Sequence, residues 1–308
     1  MYSRHGNLVT AQQVFDQLSL RDAASWSAII TGYTNSGYGW AAVDLFHQMW
    51  CENSSLDEVT FLCILSACAS VGTLTEGRLI HLEVTKWFEL GVFMGSTLID
   101  MYGKCNCIKE ARQVFDGLPA RNLVCWNVII AGYVSSKLSI EALHLLDAMQ
   151  HAGFEPNAIT YTSMLKACSD IPSLNQGMRF HEIIFRESYE YDSIIGSCLV
   201  EFYVKCGSMP SACKVFDNLS VRSSVTWTAI IAGHVECGNC QKALQIYHRM
   251  RQQENTKLDA ATFLCVLKAC ISMGDLALEP VSFFEYTASI RRNIMLPFLT
   301  ILGDHNIG

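Results

Sequence analysis

The sequence predicts an all-α protein in which helix-turn-helix repeats stack into an α-solenoid. First, a nine-residue phrase occurs three times, as SWSAIITGY (25–33), CWNVIIAGY (125–133) and TWTAIIAGH (226–234). Second, the apolar residues of the first phrase lie at i, i+3, i+4 and i+7, which places them on one face of a helix. Third, short helix pairs cannot bury such faces alone, and stacking neighbouring pairs gives them a continuous core.

Three kinds of repeat follow one another in a fixed order along the chain. The first kind carries the tryptophan phrase and covers 23–57, 123–157 and 224–259. The second kind carries TFLCILSAC, TYTSMLKAC or TFLCVLKAC and covers 58–91, 158–192 and, in part, 260–279. The third kind carries LIDMYGKC or LVEFYVKC and covers 92–122 and 193–223, while 1–22 matches its later part. Residues 280–308 match none of the three and are predicted to be a tail outside the repeats.

Each repeat is predicted to contain two helices joined by a turn. In the first repeat of the first kind, NSG at 35–37 marks the turn. The second helix of that repeat has an apolar face formed by Ala42, Leu45, Phe46 and Met49. The same spacing recurs in the third kind, at Ala11, Val14, Phe15 and Leu18, at Ala111, Val114, Phe115 and Leu118, and at Ala212, Val215, Phe216 and Leu219. Pro119 ends the second of these helices, because proline cannot continue a helix interior.

Composition argues against several classes of protein. The 308-residue sequence has no run of 18 or more apolar residues, so no membrane span and no membrane partner are predicted. The net charge of −7 does not by itself indicate a nucleic-acid partner. The first residues lack the apolar segment of a signal peptide, and without such a signal the 14 cysteines do not predict disulfides. Three of the cysteines recur in the second kind of repeat as small apolar residues: Cys68, Cys168 and Cys270.

The three kinds of repeat resemble the P, L and S repeats of pentatricopeptide repeat (PPR) proteins of the PLS subclass. They have 35, 34 and 31 residues in 23–57, 58–91 and 92–122. VCWNVIIAGYVSSKLSIEALHLLDAMQHAGFEPN is similar to a P repeat, GRLIH to an L repeat, and LIDMYGKC with ARQVFD to an S repeat. The resemblance covers 1–279. It implies a right-handed superhelical solenoid that binds single-stranded RNA, one base per repeat.

In this family the fifth residue of the first helix and the last residue of the repeat select the base, through polar groups matched to a base edge. The resemblance therefore implies G for Ser27 with Asp57 and for Thr228 with Asp259, A for Ser96 with Asn122, and a pyrimidine, C before U, for Asn127 with Asn157. Thr162 with Asp192 has G-type residues, but L repeats follow the rule poorly. Leu62 with Gly91 has no polar contact to offer, and Ser197 with Ser223 has no assigned base. The expected target is 5′-GNAYNNG-3′.

The second residue of each repeat is implied to sandwich the bases by apolar contact. The candidates are Val59, Val124, Ile159 and Val225. Ala24 and Ala261 occupy the same position and, being smaller, would do this less well.

Several polar residues also have simpler explanations. Serine, threonine and asparagine near a helix start are common N-caps. His81 and His181 recur 100 residues apart, but Phe283 stands at the third equivalent position, which argues for packing or a satisfied polar contact. The pairs Cys237-x-x-Cys240 and Cys105-x-Cys107 have no second pair at zinc-finger spacing, so no metal and no other cofactor is predicted.

No catalytic motif is recognised in the sequence. It has no G-x-S-x-G, no phosphate-binding glycine loop and no H-E-x-x-H. Some PLS proteins end in a DYW domain that resembles zinc deaminases, and the H-x-E with a later P-C-x-x-C that such a domain needs is missing from this sequence. The chain is therefore not predicted to be an enzyme, and editing chemistry would come from an editing or processing factor that binds it.

The resemblance favours an RNA-specificity adaptor for RNA editing, modification, splicing or processing in plant mitochondria or chloroplasts. No transit peptide is visible in this sequence. The net negative charge favours the alternative of a protein-binding scaffold, because affinity for RNA depends on lysine and arginine. Since residue 1 falls inside a repeat and the last repeat loses its second helix, a shortened, non-functional product is a further hypothesis.

Overall fold

The computed structural model describes residues 8–52, 57–171, 173–187, 189, 192–252 and 259–273. These residues form sixteen α-helices, and no β-strand occurs among them. The chain divides into two compact units, Met1–Ser163 and Met164–Gly308. The predicted tail at 280–308 and the start of the partial repeat at 1–22 lie outside the described residues.

The helices follow one another as pairs along the chain. In order they are α1 (Leu8–Asp16), α2 (Ala23–Asn35), α3 (Gly39–Cys51), α4 (Glu58–Val71), α5 (Leu74–Trp87), α6 (Val92–Lys104), α7 (Ile108–Gly117), α8 (Leu123–Ser135), α9 (Ser139–His151), α10 (Ala158–Asp170), α11 (Leu174–Arg186), α12 (Ser193–Lys205), α13 (Met209–Asn218), α14 (Ser224–Glu236), α15 (Cys240–Arg251) and α16 (Ala260–Met273).

The first helix of a repeat begins where the last residue of the preceding repeat caps it. Asp57 Oδ1 accepts a hydrogen bond from the backbone N–H of Thr60 at 2.8 Å, at the start of α4. Asn122 Oδ1 accepts from the N–H of Cys125 at 3.0 Å, at the start of α8. Side-chain oxygens of this kind satisfy one of the N–H groups that a helix N-terminus leaves without an intrahelical partner. Where the last residue of a repeat is Asp57, Asn122 or Ser223, its side chain caps the next first helix, whereas α6 begins after Gly91 without a side-chain cap.

The turn between the two helices of a repeat needs a residue in the left-handed region of the Ramachandran plot. Gly37 has a φ of 83° and stands directly after the C-cap of α2, where NSG predicted the turn. Asn106 and Lys137 occupy this place in later repeats, with φ of 56° and 61°. Asparagine tolerates this conformation, whereas lysine adopts it at a cost in free energy.

The core of the unit Met1–Ser163 lies between successive helices. The first helices of neighbouring repeats pack against each other, α2 on α4, α4 on α6 and α6 on α8. Trp26, Ile29 and Ile30 on α2 are buried, and so is the predicted face of α3. The apolar face predicted for the first 22 residues is wrong in part, because Val14 on α1 is exposed and Leu18 is exposed and lies beyond the end of α1 at Asp16. The described helix that packs on α1 is α2, which covers only the side that carries Phe15.

The unit Met164–Gly308 repeats the same arrangement. There α12 packs on α14, and α14 packs on both α15 and α16. Trp227, Ile230 and Ile231 on α14 are fully buried. Gly177 on α11 lies so close to the ring of Phe202 on α12 that a Cβ atom at this position would overlap it. Gly177 begins GMRFH (177–181), which corresponds to GRLIH (77–81). A glycine is therefore required here for α11 to pack against α12.

An arginine just before each tryptophan phrase closes the preceding helix. Arg121 donates from Nε to the carbonyl oxygen of Phe115 and from a terminal guanidinium nitrogen to that of Asp116, both at 2.8 Å. Its guanidinium lies 4.8 Å from the centroid of the Phe115 ring, which meets Trp126 edge-on at 4.8 Å. Arg222 makes the same two hydrogen bonds, and Arg21 also stacks on its phenylalanine. This role was not predicted from the sequence, although the arginine that recurs at 21, 121 and 222 was a visible signal.

Candidate nucleic-acid interface

The fifth residue of one repeat, its last residue and a threonine of the next repeat form a hydrogen-bonded cluster. Ser27 Oγ lies 3.1 Å from Thr60 Oγ1, which donates to Asp57 Oδ1 at 2.6 Å. Ser27 also donates to the carbonyl oxygen of Ala23, one turn earlier on α2. Asp57 Oδ1 accepts both the hydroxyl and the backbone N–H of Thr60. The two predicted base-reading residues are thus joined through a third side chain.

The same cluster recurs in the unit Met164–Gly308. Thr228 Oγ1 lies 2.6 Å from Thr262 Oγ1, which donates to Asp259 Oδ1 at 2.7 Å. The backbone N–H of Thr262 also donates to this oxygen, at 2.8 Å. The pair Thr228 and Asp259 therefore has the same hydrogen-bonding arrangement as the pair Ser27 and Asp57.

In the third cluster both predicted base-reading residues are amides. Asn127 Nδ2 donates to Asn157 Oδ1 at 3.2 Å. Thr160 Oγ1 lies 2.6 Å from Asn127 Oδ1 and 3.1 Å from Asn157 Oδ1. The N–H of Thr160 donates to Asn157 Oδ1 at 3.1 Å. Both carbonyl oxygens therefore point into the cluster, and the Nδ2 group of Asn157 has no partner among the described residues.

The pair Ser96 and Asn122 has a cysteine where the other clusters have threonine. Ser96 Oγ donates to the carbonyl oxygen of Phe93 at 2.9 Å, and Asn122 caps α8. Cys125 directs its thiol to the carbonyl oxygen of Val92, at 3.8 Å. No hydrogen bond between these side chains is found in this part of the described chain. The two base-reading residues here are each ordered separately.

Ser197 and Ser223, the pair without an assigned base, also form a cluster. Ser197 Oγ lies 2.6 Å from Thr226 Oγ1 and 3.3 Å from Ser223 Oγ. Thr226 Oγ1 and Ser223 Oγ lie 2.8 Å apart. Ser197 also donates to the carbonyl oxygen of Ser193 at 2.7 Å. The structure thus brings this pair together as it does Ser27 with Asp57, Asn127 with Asn157 and Thr228 with Asp259, and unlike Ser96 with Asn122.

After a repeat of the second kind, the third residue of the next first helix is apolar, whereas the clusters above have a threonine there. Leu62 and Gly91 are followed by Met94, which is buried. Thr162 belongs to the unit Met1–Ser163, where it donates to the carbonyl oxygen of Ala158 at 2.8 Å. Asp192 belongs to the unit Met164–Gly308, where it caps α12 through the N–H groups of Ile194 and Ile195.

Within the pairs, the last residue of the repeat is the more accessible one. Ser27, Ser96 and Asn127 are buried between helices, with less than a tenth of each residue exposed. Asp57 and Asn157 are partly exposed. The other last residues are partly exposed (Asn122) or exposed (Asp192, Ser223 and Asp259). The other polar fifth residues are partly exposed: Thr162, Ser197 and Thr228. A ligand approaching from solvent therefore meets the last residue first and the fifth residue behind it.

The predicted base-sandwiching residues are exposed apolar side chains. Val59, Val124, Ile159 and Val225 each have at least half of their surface in solvent. Ala24 and Ala261 are exposed as well. Phe93 and Ile194 occupy the same second position, are 75% and 66% exposed, and were not predicted from the sequence. Their position within the repeat was the signal that could have found them.

The recurring histidines make a satisfied polar contact, as predicted. His81 Nδ1 lies 2.9 Å from Tyr102 Oη, and His181 Nδ1 lies 2.7 Å from Tyr203 Oη. Burial lowers the pKa of His81, so its neutral form is favoured. Phe283, the third residue at this position, lies outside the described residues.

The cysteines are free thiols. Burial raises the pKa of Cys68 to about 11 and that of Cys168 to about 12, which keeps both thiols protonated and unreactive. Around Cys105, Cys107, Cys237 and Cys240, and elsewhere in the described chain, no group of three or more potential metal ligands occurs. In the same residues, no helix has both the length and the apolar character needed to cross a membrane.

The fold defines the chain as an α-solenoid of stacked helix pairs. PPR10, in the crystal structure of its complex with an 18-nt psaJ RNA element, is similar with a TM-score of 0.67 and 15% identity, over 87% of this chain and 40% of PPR10. The likeness agrees with the predicted fold class, while the right-handed superhelix stays a prediction. Within the sequence, 24–54 and 96–123 match the PPR repeat, and 121–170 and 222–272 match the PPR repeat family, together about half of the chain. The chain belongs to the pentatricopeptide repeat family.

Two relatives from Arabidopsis thaliana show the extent of the similarity. A putative mitochondrial pentatricopeptide repeat-containing protein is 33% identical over 270 residues, which are 87% of this chain and 43% of that protein. A chloroplastic pentatricopeptide repeat-containing protein is 35% identical over 280 residues, 91% of this chain and 45% of that protein. The chain thus spans less than half the length of these relatives.

Proposed function

We propose that this chain binds single-stranded RNA in a sequence-specific manner, one base per repeat. The observation that carries the proposal is the pairing of the fifth and last residues of a repeat. In four repeats these residues are joined in one cluster, and the last residue keeps an atom accessible to solvent. Membership of the pentatricopeptide repeat family and the similarity to the RNA-bound PPR10 structure support the same proposal.

The Ser27 cluster presents acceptors, which suits guanine. Thr60 donates its proton to Asp57 Oδ1, and the proton of Ser27 is shared between the carbonyl oxygen of Ala23 and Thr60 Oγ1. A serine hydroxyl has one proton, so the atoms left for a ligand are the lone pairs of Ser27 and the second carboxylate oxygen of Asp57. The Watson–Crick edge of guanine offers two donors, N1–H and the exocyclic amine. Guanine suits Thr228 with Asp259 for the same reason.

The Asn127 cluster presents donors, which suits cytosine. Both carbonyl oxygens are engaged within the cluster, so the groups left for a base are amide N–H groups, chiefly those of Asn157 Nδ2. Cytosine presents acceptors at N3 and O2, whereas uracil carries a donor at N3. A preference for C over U is therefore expected at this repeat.

The pair Ser96 and Asn122 presents one acceptor and one donor, which suits adenine. Ser96 donates its hydroxyl proton to the carbonyl oxygen of Phe93, and Asn122 Oδ1 caps α8. An acceptor thus remains on Ser96 and a donor on Asn122 Nδ2. Adenine offers the complementary donor at N6 and acceptor at N1. The three arrangements together support the predicted target 5′-GNAYNNG-3′.

The exposed second residues would hold the bases in place between them. Val59, Val124, Ile159 and Val225 each offer an apolar surface at the start of a first helix. Phe93 joins them with an aromatic ring, and contacts of that kind with a base are worth about 1–3 kcal/mol. Such contacts do not depend on the identity of the base, so they add affinity while the polar pairs add specificity.

The biological role that follows is that of a specificity adaptor in RNA editing, modification, splicing or processing. The chain would supply the sequence recognition, and catalysis would come from editing or processing factors that it recruits. The two relatives described above carry mitochondrial and chloroplastic in their names, and we place this chain in one of these organelles on that ground. The chain spans less than half the length of these relatives, so the proposal concerns these 308 residues alone.

A protein-binding scaffold is the second candidate, and the net charge of −7 is the observation that favours it. RNA affinity gains from each lysine or arginine that neutralises a phosphate and releases counterions. A scaffold would use exposed apolar residues for contacts with a protein, in place of contacts with bases. The two functions differ in whether binding depends on RNA sequence.

The test is the binding of the purified chain to a labelled RNA that contains 5′-GNAYNNG-3′, against a scrambled RNA, over a range of salt concentrations. Preference for the matched RNA supports the proposal. Asn127→Ser should change the preferred fourth base from C to A, because it recreates the combination of Ser96 with Asn122. Asn239→Ser is the matched control, since Asn239 is exposed and belongs to none of the pairs. A folded chain that binds no RNA would favour the scaffold.

A further inference from the structure

We propose that the threonine at the third position of a first helix is a positioning residue for the base-reading pair of the preceding repeat. These residues are Thr60, Thr160, Thr226 and Thr262. The inference rests on the proposed RNA-binding function and assigns the donor and acceptor pattern of each pair to a residue that no base would touch.

The burial of these threonines excludes direct contact with a ligand. Thr60, Thr160, Thr226 and Thr262 are each 0% exposed. A buried hydroxyl that lost its partners would be left unsatisfied, which is costly, so each hydroxyl must keep its hydrogen bonds. The partners that it has are the two members of the pair.

Where the base-reading pair contains an aspartate, the threonine determines which carboxylate oxygen remains free for a base. In the Ser27 cluster, the hydroxyl and the N–H of Thr60 both bind Asp57 Oδ1. The other oxygen is thereby left as the acceptor for a base. The hydroxyl of Thr60 has no second proton, so it meets Ser27 as an acceptor or not at all.

The effect is larger where the pair consists of amides. An asparagine can rotate its amide by half a turn and exchange donor for acceptor at nearly the same place. Thr160 Oγ1 contacts both Asn127 Oδ1 and Asn157 Oδ1, at 2.6 and 3.1 Å. The hydroxyl has one proton, and at the shorter distance it donates to Asn127 Oδ1 and holds that oxygen inward, while the backbone N–H of Thr160 holds Asn157 Oδ1 inward. The Nδ2 group of Asn157 is thereby left for a base.

The chain contains its own contrast to these four positions. Cys125 takes the third position after the pair Ser96 and Asn122, and its thiol is directed to Val92. Met94 and Ile195 take it after the two second-kind repeats, and both are buried apolar residues. These repeats include the ones that are expected to follow the base rule poorly. A missing hydroxyl at the third position gives a physical reason for that expectation.

The experiment compares the 308-residue chain with its Thr160→Val variant, which keeps the side-chain shape and removes the hydroxyl. The readout is the ratio of affinities for RNAs that differ only in their fourth base. We expect this ratio to fall about two- to tenfold, the factor for one neutral hydrogen bond, while discrimination at the seventh base is unchanged. Thr262→Val should lower discrimination at the seventh base and leave discrimination at the fourth base unchanged. Thr160→Ser should retain the ratio, and Cys125→Thr should raise discrimination at the third base.

Thr34→Val is the control for loss of a hydroxyl without an effect on a pair, because Thr34 donates only to the carbonyl oxygen of Ile30. Equal losses at all bases, or unchanged discrimination at the fourth base in a folded Thr160→Val chain, would overturn the inference. Side-chain amide signals of Asn127 and Asn157 in the NMR spectrum of the free chain provide a measurement that needs no RNA. They should shift in Thr160→Val, and unchanged signals would refute positioning even if no RNA is bound.

Discussion

Asn157→Asp should reverse the base preference of its repeat from C to U. The change replaces Nδ2, a donor, by a carboxylate oxygen, an acceptor, and leaves Oδ1 to accept from Thr160 and Asn127 as before. The new acceptor repels the N3 lone pair of cytosine and accepts the N3–H of uracil. One matched hydrogen bond and one avoided unpaired group together change the preference by about 2 kcal/mol, or roughly thirtyfold.

The assay is fluorescence anisotropy with four RNAs that differ only at the fourth base, at one fixed salt concentration. Stability should change by less than about 0.5 kcal/mol, because aspartate caps a helix as well as asparagine does. Asn239→Asp is the matched control, since it adds the same charge at an exposed position outside the pairs. If Asn157→Asp still prefers C, or loses affinity for all four RNAs equally, the donor and acceptor argument is wrong.

Three further predictions concern stability. Arg121→Ala should lower the free energy of unfolding by about 1–3 kcal/mol in urea denaturation, because it leaves the carbonyl oxygens of Phe115 and Asp116 without their donor. Gly177→Ala should cost about 1–3 kcal/mol, because its Cβ overlaps the Phe202 ring. Stability should fall as the pH drops below 6.5, because burial lowers the pKa of His81 in the folded chain and the unfolded chain then binds more protons.

Each of these has a control in the same chain. Lys104→Ala should be nearly neutral, since Lys104 and Asp100 form a surface ion pair within one helix. Gly117→Ala should be neutral or stabilising, because no atom lies within 4 Å of the added Cβ. His81→Gln should reduce the loss of stability below pH 6.5. Losses as large for the two control variants as for Arg121→Ala and Gly177→Ala would show that the specific contacts are not the cause.

The helices could be predicted from the sequence because their signals are local. The spacing of Trp26, Ile29 and Ile30 reports one helical face, and the turn at Gly37 reports its end. Stacking then follows, since no single pair buries its faces. The exposed Val14 and Leu18 were predicted to be buried, because periodicity shows which face is apolar and not what covers it.

The pairs of base-reading residues could be predicted only through the family resemblance, and their hydrogen bonding could not be predicted at all. Ser27 and Thr60 are 33 residues apart, and no local pattern signals a contact at that distance. Thr60 also lies within the constant phrase of its repeat, where it looks like scaffold. Arg121 was overlooked for a similar reason, because its partners are backbone carbonyl oxygens, which have no signature in the sequence.

Capping and base contact are often treated as alternatives for a polar residue at a helix start, but Asn122 can do both. Its Oδ1 caps α8 through the N–H of Cys125, and its Nδ2 remains available for a base. Asn122→Ala removes both functions and should cost about 1 kcal/mol of stability together with discrimination at the third base. Asn122→Asp keeps the cap and should change the preferred third base from A to G without loss of stability. If both variants lose stability in urea denaturation and lose RNA affinity in proportion, capping alone explains the residue. If Asn122→Asp keeps its stability and changes its preferred third base, Asn122 contacts that base.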